Sequence, residues 1–266
     1  MHKFDSIEAA SKSLLFDVCA SFNSILGDYA IVGGWVPLLA VSNDKLKHPG
    51  TRDVDVLLRG TDDLPRLATE CLLNQGFIVS AKHEFQLFRI MEVRGKKFVF
   101  SVDLLHPKSL EKPEMFHDIM SLDVPDSYDP TGFRHVRSIA FGMSDIVFRE
   151  KLWKEHSFKF KNDQISVPLL TAGGCILSKL ESSMKTKRRR DVFDIFYILS
   201  GNTGEQAAQS VSTTIGNYPE FSEQLSKFLE WVQSNDSTQK NVEHFAPGFG
   251  DKAKSLILEL LHNQNL

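Results

Sequence analysis

Residues 29–59 read YAIVGGWVPLLAVSNDKLKHPGTRDVDVLLR, and the rest of the chain is organised around them. An apolar run, Tyr29 to Val32, meets a glycine pair, Gly33–Gly34. A short apolar stretch follows and ends in Asn43. After a polar connection comes Thr51-Arg52-Asp53-Val54-Asp55-Val56-Leu57-Leu58. The pattern predicts strand, glycine turn, short helix, loop, strand. Side chains alternate faces along a strand, so Asp53 and Asp55 project together while Val54 and Val56 face a core.

Two like charges on one face of a strand repel and call for a partner. A divalent cation is the most economical one, and Mg²⁺ takes carboxylate oxygens together with substrate phosphates rather than a full protein cage. The glycine turn fits the phosphate side of such a site, because glycine lets backbone approach a ligand closely. A helix starting there would aim free N–H groups at an anion. Carboxylates for metal and amides for phosphate point to a nucleoside triphosphate. Taken singly, a D-x-D is common in surface strands and a G-G is a turn. Their joint occurrence, each backed by an apolar strand, favours a site.

These residues resemble the polymerase-beta-like nucleotidyltransferase superfamily. Its signature is a glycine pair, a helix and a D-x-D strand, matched by Gly33-Gly34 and Thr51-Arg52-Asp53-Val54-Asp55. The wording VGGW…HPGTRDVDV is most similar to the branch that holds the AbiEii and MenT toxins. The resemblance implies that Asp53 and Asp55 bind Mg²⁺ (or Mn²⁺), and that Gly33, Gly34, Thr51 and Arg52 lie on the nucleotide. Residues 35 to 52 separate the glycine pair from Asp53, a longer gap than is usual there. The helix or its exit loop is therefore expected to be extended.

Composition narrows the alternatives. The chain has 266 residues, enough for one large or two modest domains. Its net charge of −3 provides no global field to collect nucleic acid, so such contact would need a local patch. Cys19, Cys71 and Cys175 are far apart and odd in number, which reads as reduced, buried thiols. Asp5, Glu8 and Lys12 argue against a signal peptide. The longest charge-free apolar stretch, Ala30 to Asn43, is broken by Pro37 and two glycines and is too short for a membrane span. A cytoplasmic protein with no membrane partner is expected.

Working outward, residues 5 to 27 read as an amphipathic helix. Ile7, Leu14, Val18, Phe22, Ile25 and Leu26 lie on one face, Ser6 starts it and Gly27 stops it. Residues 62 to 75 read as a second helix ended by Gly76. Strands are expected over Phe77–Ser80, Glu84–Val93 and Lys97–Leu105, with a turn at Arg94-Gly95. The last of these carries Asp103 among apolar neighbours. One reading is a strand-end carboxylate bonded to backbone N–H; the other is a third site acid, since an acid amid apolar residues needs compensation. The resemblance favours the second: the family places a third acid on a neighbouring strand, where it binds metal or takes the acceptor's proton. Glu111–Glu114 and Pro125–Pro130 read as loops around a short helix. Val136–Phe141 and Phe158–Leu169 read as strands, the latter broken at Asn162-Asp163.

From Thr171 the pattern turns helical. Cys175, Ile176, Leu180 and Met184 form an apolar face, followed by Lys185-Thr186-Lys187-Arg188-Arg189-Arg190-Asp191 and a second apolar series from Val192 to Leu199. Two further helices are expected, over about 217–233 and 251–264, joined by a polar linker from Ser234 to Asn241. The basic run has two readings. Lys187–Asp191 and Arg190–Asp194 are i,i+4 pairs on a solvated face; alternatively the cations hold a triphosphate or an RNA backbone. AbiEii-like proteins carry a similar stretch, a helix lysine and then R-D-x-x-D-I, matched by Lys179 and by Arg190-Asp191-Val192-Phe193-Asp194-Ile195. The resemblance implies that Lys179 contacts the triphosphate, with Lys187 beside it, and that Asp191 orients site residues.

No H-E-x-x-H, P-loop or G-x-S-x-G motif occurs. Trp35 could stack on a base, but its place just after the glycine pair favours packing of helix on sheet. The expected class is α/β (α+β): a small mixed sheet with flanking helices over residues 1–165, then a mainly helical domain over 166–266. The expected activity is metal-dependent transfer of NMP from an NTP such as ATP to a hydroxyl, with Asp53, Asp55, Asp103 and Lys179 as catalytic residues. A tRNA 3′ end or a protein side chain is the acceptor the resemblance suggests, and a cognate antitoxin is a possible partner. The alternatives are a small-molecule acceptor, or a non-catalytic domain of the same fold that binds a nucleotide or partner.

Overall fold

The computed structural model describes residues 3–25, 29–59, 63–80, 85–107, 139–141 and 143–262. Contacts divide the chain into two compact units, Met1–Trp35 with Gly50–Leu169 and Val36–Pro49 with Leu170–Leu266. A single cut at 165/166 does not capture this division, because residues 36–49 leave the first unit and join the second. That excursion accounts for the long gap between the glycine pair and the D-x-D strand. Among the described residues no helix is long and apolar enough to cross a membrane.

The first unit runs β1 (Lys3–Phe4), α1 (Ile7–Ile25) and β2 (Tyr29–Val32), with the first residue of α2 (Trp35–Ala40). It resumes with β3 (Asp53–Leu58), α3 (Asp63–Asn74), β4 (Ile78–Val79), β5 (Gln86–Val93) and β6 (Lys96–Pro107). It closes with β7 (Ile139–Phe141), α4 (Ser144–Arg149), β8 (Trp153–Phe160) and β9 (Asp163–Leu170). The strands form one mixed sheet in the order β1-β5-β6-β3-β2-β9-β8, with β4 on β5 and β7 on β6. The central pair, β3 and β6, is parallel; β2 lies antiparallel to β3 and β5 antiparallel to β6. On one face Val54, Val56, Val102 and Leu104 are fully buried, as are Leu14, Leu15, Val18 and Phe22 of α1, which packs on β3 and β5. That alternation puts the acids of β3 and β6 on the opposite face.

Local chemistry explains most boundaries. Ser6 caps α1, its hydroxyl accepting from Ala9 N at 3.0 Å. Ile7 is 40% exposed and does not join the apolar face. Arg94 and Gly95 both have positive φ and make the tight hairpin between β5 and β6. The break expected at Asn162-Asp163 within Phe158–Leu169 falls at Lys161-Asn162, between β8 and β9, but the first strand starts earlier than that range. Most of β8 lies before it, hidden from an apolar pattern because Lys154, Glu155, Ser157 and Lys159 face solvent. The short helix α4 was not expected; Ile146 and Val147 bury it. Gly27, Leu26, the loops Glu111–Glu114 and Pro125–Pro130, and the first part of Val136–Phe141 lie outside the described residues.

The second unit is helical: α5 (Ala172–Ser183), α6 (Arg189–Leu199), α7 (Gly204–Asn217), α8 (Glu220–Ser234), α9 (Ser237–Phe245) and α10 (Gly250–His262). Thr171 caps α5, accepting from Gly174 N at 3.2 Å. α5 packs on α6, α7 and α8, and α10 on α6, α7, α8 and α9. Two helices escape the sequence pattern. The sole apolar side chains of α7 that reach the core are Ala207, Ala208, Val211 and Ile215, a narrow stripe among Ser, Thr and Gln. Much of the expected polar linker is α9, which buries only Thr238 and Val242. A narrow stripe half made of alanine, or a helix with two buried positions, carries little periodicity for a sequence to reveal.

Candidate active site

The site begins with strand register. Asp55 pairs directly with Asp103 across the parallel strands β3 and β6, and Asp53 pairs with Ser101. Facing residues of neighbouring strands lie close enough for side chains to meet. Gln86 pairs with Asp103 from the other side, and its amide donates to Asp103 Oδ1 at 2.8 Å. Val32, the last residue of β2, pairs with Asp55. One row across the sheet therefore reads Gln86, Asp103, Asp55, Val32, with Asp53 two residues along. All three carboxylates are partly exposed. Asp103 therefore stands in register beside the D-x-D motif.

The glycine turn meets this row. Gly33 has φ +69, and a β-carbon there would sit 2.9 Å from Asp55 Cγ and closer still to Oδ2. Only a residue without a side chain fits both the left-handed backbone and the carboxylate against it. Thr51 is buried, and its hydroxyl donates to Asp53 Oδ1; Arg52 N donates to the same oxygen at 3.2 Å. Thr51 and Arg52 thus orient Asp53, while the Arg52 side chain is exposed. Trp35 packs as expected: it is 3% exposed, its ring meets Phe158 edge-on, and its Nε1 donates to Asp53 O at 2.9 Å. The helix after the turn has only six residues, so its end carries a small dipole.

Lys179, Lys187 and Asp191 belong to the second unit, where a compact charge cluster forms. The Lys179 ammonium lies 2.6 Å from Asp191 Oδ1 and 2.9 Å from Asp194 Oδ2. The other oxygen of Asp194 lies 3.0 Å from His48 Nε2 and 3.5 Å from Arg190 Nε. Lys179, Asp194 and His48 are all buried. Of the two helix pairs expected in the basic run, Arg190–Asp194 forms, whereas Asp191 turns to Lys179. Lys187, Arg188 and Arg189 are exposed. Two nitrogens of Arg190, Nε and Nη2, are buried without a hydrogen-bond partner among the described residues, donors suited to an anion.

Burial sets the charge states. For Asp194 burial favours the neutral acid, but the Lys179 ammonium, the His48 hydrogen bond and Arg190 outweigh it and hold the carboxyl at about 2. Burial would likewise depress Lys179, yet Asp194 and Asp191 together raise it above its ordinary value. For His48 burial lowers the pKa; the bond to and the charge of Asp194 oppose this, while Arg190 and Lys179 add to the lowering. His48 is therefore neutral at pH 7. An ionised carboxylate only accepts, so Nε2 carries the proton and donates to Asp194.

Among the described residues no three His, Cys, Asp or Glu side chains group closely enough to hold a metal alone. Carboxylate oxygens are nevertheless the hard donors that Mg²⁺ or Mn²⁺ takes. Here the carboxylates stand in register on neighbouring strands, and such ions complete their shells with substrate phosphate and water. Sequence reasoning missed Gln86 and His48 as members of these two groups, and gave Asp194 only as the helix partner of Arg190 and as part of the R-D-x-x-D-I match. Gln86 offered a faint signal, a polar residue on the acid-facing side of an apolar strand. His48 offered none, because its partner is 146 positions away.

No family model matches the chain, and none of the curated proteins compared with it matches. Among solved structures it is similar to MenT4, a nucleotidyltransferase toxin from Mycobacterium tuberculosis H37Rv. The identity is 11%, the coverage 97% of this chain and 85% of that chain, and the TM-score 0.43.

Proposed function

We propose that the chain is a metal-dependent nucleotidyltransferase that moves NMP from an NTP to an acceptor hydroxyl. One observation carries the reading: Asp55 and Asp103 stand opposite each other on parallel strands, with the backbone of Gly33 against the Asp55 carboxylate. Acids brought into register from positions far apart in the chain repel one another, and a purely structural sheet gains nothing from them.

In the proposed reaction the acceptor oxygen attacks the α-phosphorus of the NTP. A new P–O bond forms, the bond from the α-phosphorus to the bridging oxygen breaks, and pyrophosphate leaves with that oxygen. Asp103, oriented by Gln86, takes the proton of the attacking hydroxyl. Asp53 and Asp55 would hold the metal with Asp103, Asp53 being oriented by Thr51 and by Arg52 N. Mg²⁺ or Mn²⁺, when bound, neutralises charge on the phosphate oxygens. Gly33 and Gly34 let backbone approach the triphosphate. Lys179, Lys187 and Asp191 enter the proposal as triphosphate-binding residues on the strength of the sequence resemblance alone. Transfer of this kind is mainly positioning and charge stabilisation, so few protein groups are required.

The exposed cations Lys187, Arg188 and Arg189 favour a phosphate-bearing acceptor such as a tRNA 3′ end over a protein side chain. A toxin function, with a cognate antitoxin, is the setting that the resemblance implies. The test is incubation with each α-³²P-labelled NTP, Mg²⁺ and total tRNA, with wild type beside Asp55→Ala. Label passing to RNA with wild type alone supports the reading. Label on protein changes the acceptor class, and no transfer to either, alongside Mg²⁺-dependent NTP binding, favours a small-molecule acceptor or a binding domain.

A further inference from the structure

Residues 36–49 form a strap within the helical unit. Asn43 Nδ2 donates to Tyr197 O at 3.0 Å and to Ser200 Oγ at 2.9 Å, and Asn202 N donates to Ser42 O at 2.9 Å. Gly201 lies so close to the strap that a β-carbon there would meet Ser42 O at 3.0 Å and press harder still on Val41. The far end of the strap is held differently, through His48. Its ring is buried between Phe193 and Tyr197, with centroids 5.8 and 5.2 Å away. Its Nε2 reaches the carboxylate that also binds Lys179. Asp194 is thus a two-sided carboxylate, with Oδ1 toward His48 and Arg190 and Oδ2 in an ion pair with Lys179 that makes no hydrogen bond among the described residues, the Lys179 hydrogen bond going to Asp191.

A carboxylate with one fixed oxygen has little freedom to rotate the other. Without the donor on Oδ1, Asp194 can turn toward the Arg190 guanidinium, whose Nε is already 3.5 Å away and has no hydrogen bond among the described residues. Lys179 would then keep Asp191 alone. We infer that His48 is a positioning residue for Lys179: its hydrogen bond to Asp194 fixes the carboxylate that aims the Lys179 ammonium. The inference rests on the proposed transferase reading for its effect on turnover, but its structural half stands apart from that reading. Among the described residues the charged groups that act on His48 include Asp194, Arg190 and Lys179, and Tyr197 is a titratable neighbour.

The test compares wild type, His48→Leu and His48→Gln. Leucine keeps apolar volume against Phe193 and Tyr197 but cannot donate; glutamine restores a donor. Two readouts are taken on protein of unchanged circular dichroism. One is kcat and KM for the NTP; the other is the rate at which a small acylating reagent labels Lys179, followed by mass spectrometry. The expected result is a loss of about tenfold or more in kcat/KM for His48→Leu, the scale of a slight misplacement of a binding group. Lys179 labelling should speed up in parallel, and both should return most of the way to wild type in His48→Gln. Unchanged kinetics and labelling in His48→Leu overturn the inference, as do equal defects in both variants. A His48→Leu protein that does not fold makes the residue a folding determinant and also overturns it. If wild type transfers no label, the transferase reading fails, and the labelling rates alone decide whether His48 positions Lys179.

Discussion

Gly33→Ala perturbs the contact that joins the glycine turn to the carboxylates. Two costs can be worked out separately. The backbone at Gly33 has φ +69, a left-handed conformation that costs an L-residue about 1–2 kcal/mol. The new β-carbon would lie 2.9 Å from Asp55 Cγ, where ordinary contact begins at 3.4 Å, so the carboxylate must yield by at least 0.5 Å (3.4 minus 2.9). Overpacking of this kind costs about 1–3 kcal/mol more. The second cost belongs to Asp55 and should vanish in an Asp55→Ala background, leaving the first. Urea unfolding of wild type, both single variants and the double variant measures this coupling. Equal destabilisation by Gly33→Ala in both backgrounds would refute the contact. Transfer should fall between about tenfold and about a hundredfold in the single variant, because a displaced ligand no longer meets reacting groups in line. Full activity would refute the placement of Gly33 at the site.

Asp53→Ala and Asp55→Ala should each reduce transfer to background while leaving the thermal midpoint unchanged or slightly raised, since like-charge repulsion is relieved; loss of cooperative melting in either would make the pair structural. Lys179→Ala leaves the buried Asp194 and the partly buried Asp191 without their ammonium. It should cost about 3–5 kcal/mol in chemical denaturation, and a cost below about 1 kcal/mol would contradict the observed ion pairs. Acid should weaken the helical unit in two stages. His48 and Asp194 both have depressed pKa values, so the stability each contributes is present above its unfolded value and is lost as pH falls through its folded one. Urea midpoints should therefore begin to drop below pH 6.5 and drop again from pH 3.8 toward 2, with the first stage missing in His48→Gln. Arg189→Ala should weaken RNA binding modestly and lower its salt slope by about one; an unchanged slope would assign the basic run to a solvated face.

What the sequence revealed follows the range of the interactions. The core strands were legible because Tyr29–Val32, Asp53–Leu58 and Lys96–Pro107 alternate or run apolar between turn residues. The register of Asp55 on Asp103 was not legible: nothing local says which strand lies beside β3. It was reached by resemblance and is given by the parallel pairing. The long gap after Gly34 signalled an extension, but not that residues 36–49 belong to the helical unit. That membership depends on Asn43, Gly201 and the His48–Asp194 bond, all between distant positions. The helices α7 and α9 were missed for a different reason: the buried stripe of α7 is narrow and half alanine among polar residues, and α9 buries only Thr238 and Val242.

Transfer of a nucleotidyl group by the carboxylate row would leave a distinctive labelling pattern. Parallel reactions with α-³²P- and γ-³²P-labelled NTP test it most directly, each run with Mg²⁺, with chelator, and with Asp103→Asn in place of wild type. The predicted result with wild type and Mg²⁺ is α-label on the acceptor and an equal amount of γ-label in pyrophosphate, with both lost on chelation and in the variant. γ-Label on the acceptor would mean phosphoryl transfer. α-Label that appears only in free NDP or NMP would mean hydrolysis. Either would rule out nucleotidyl transfer by this chain.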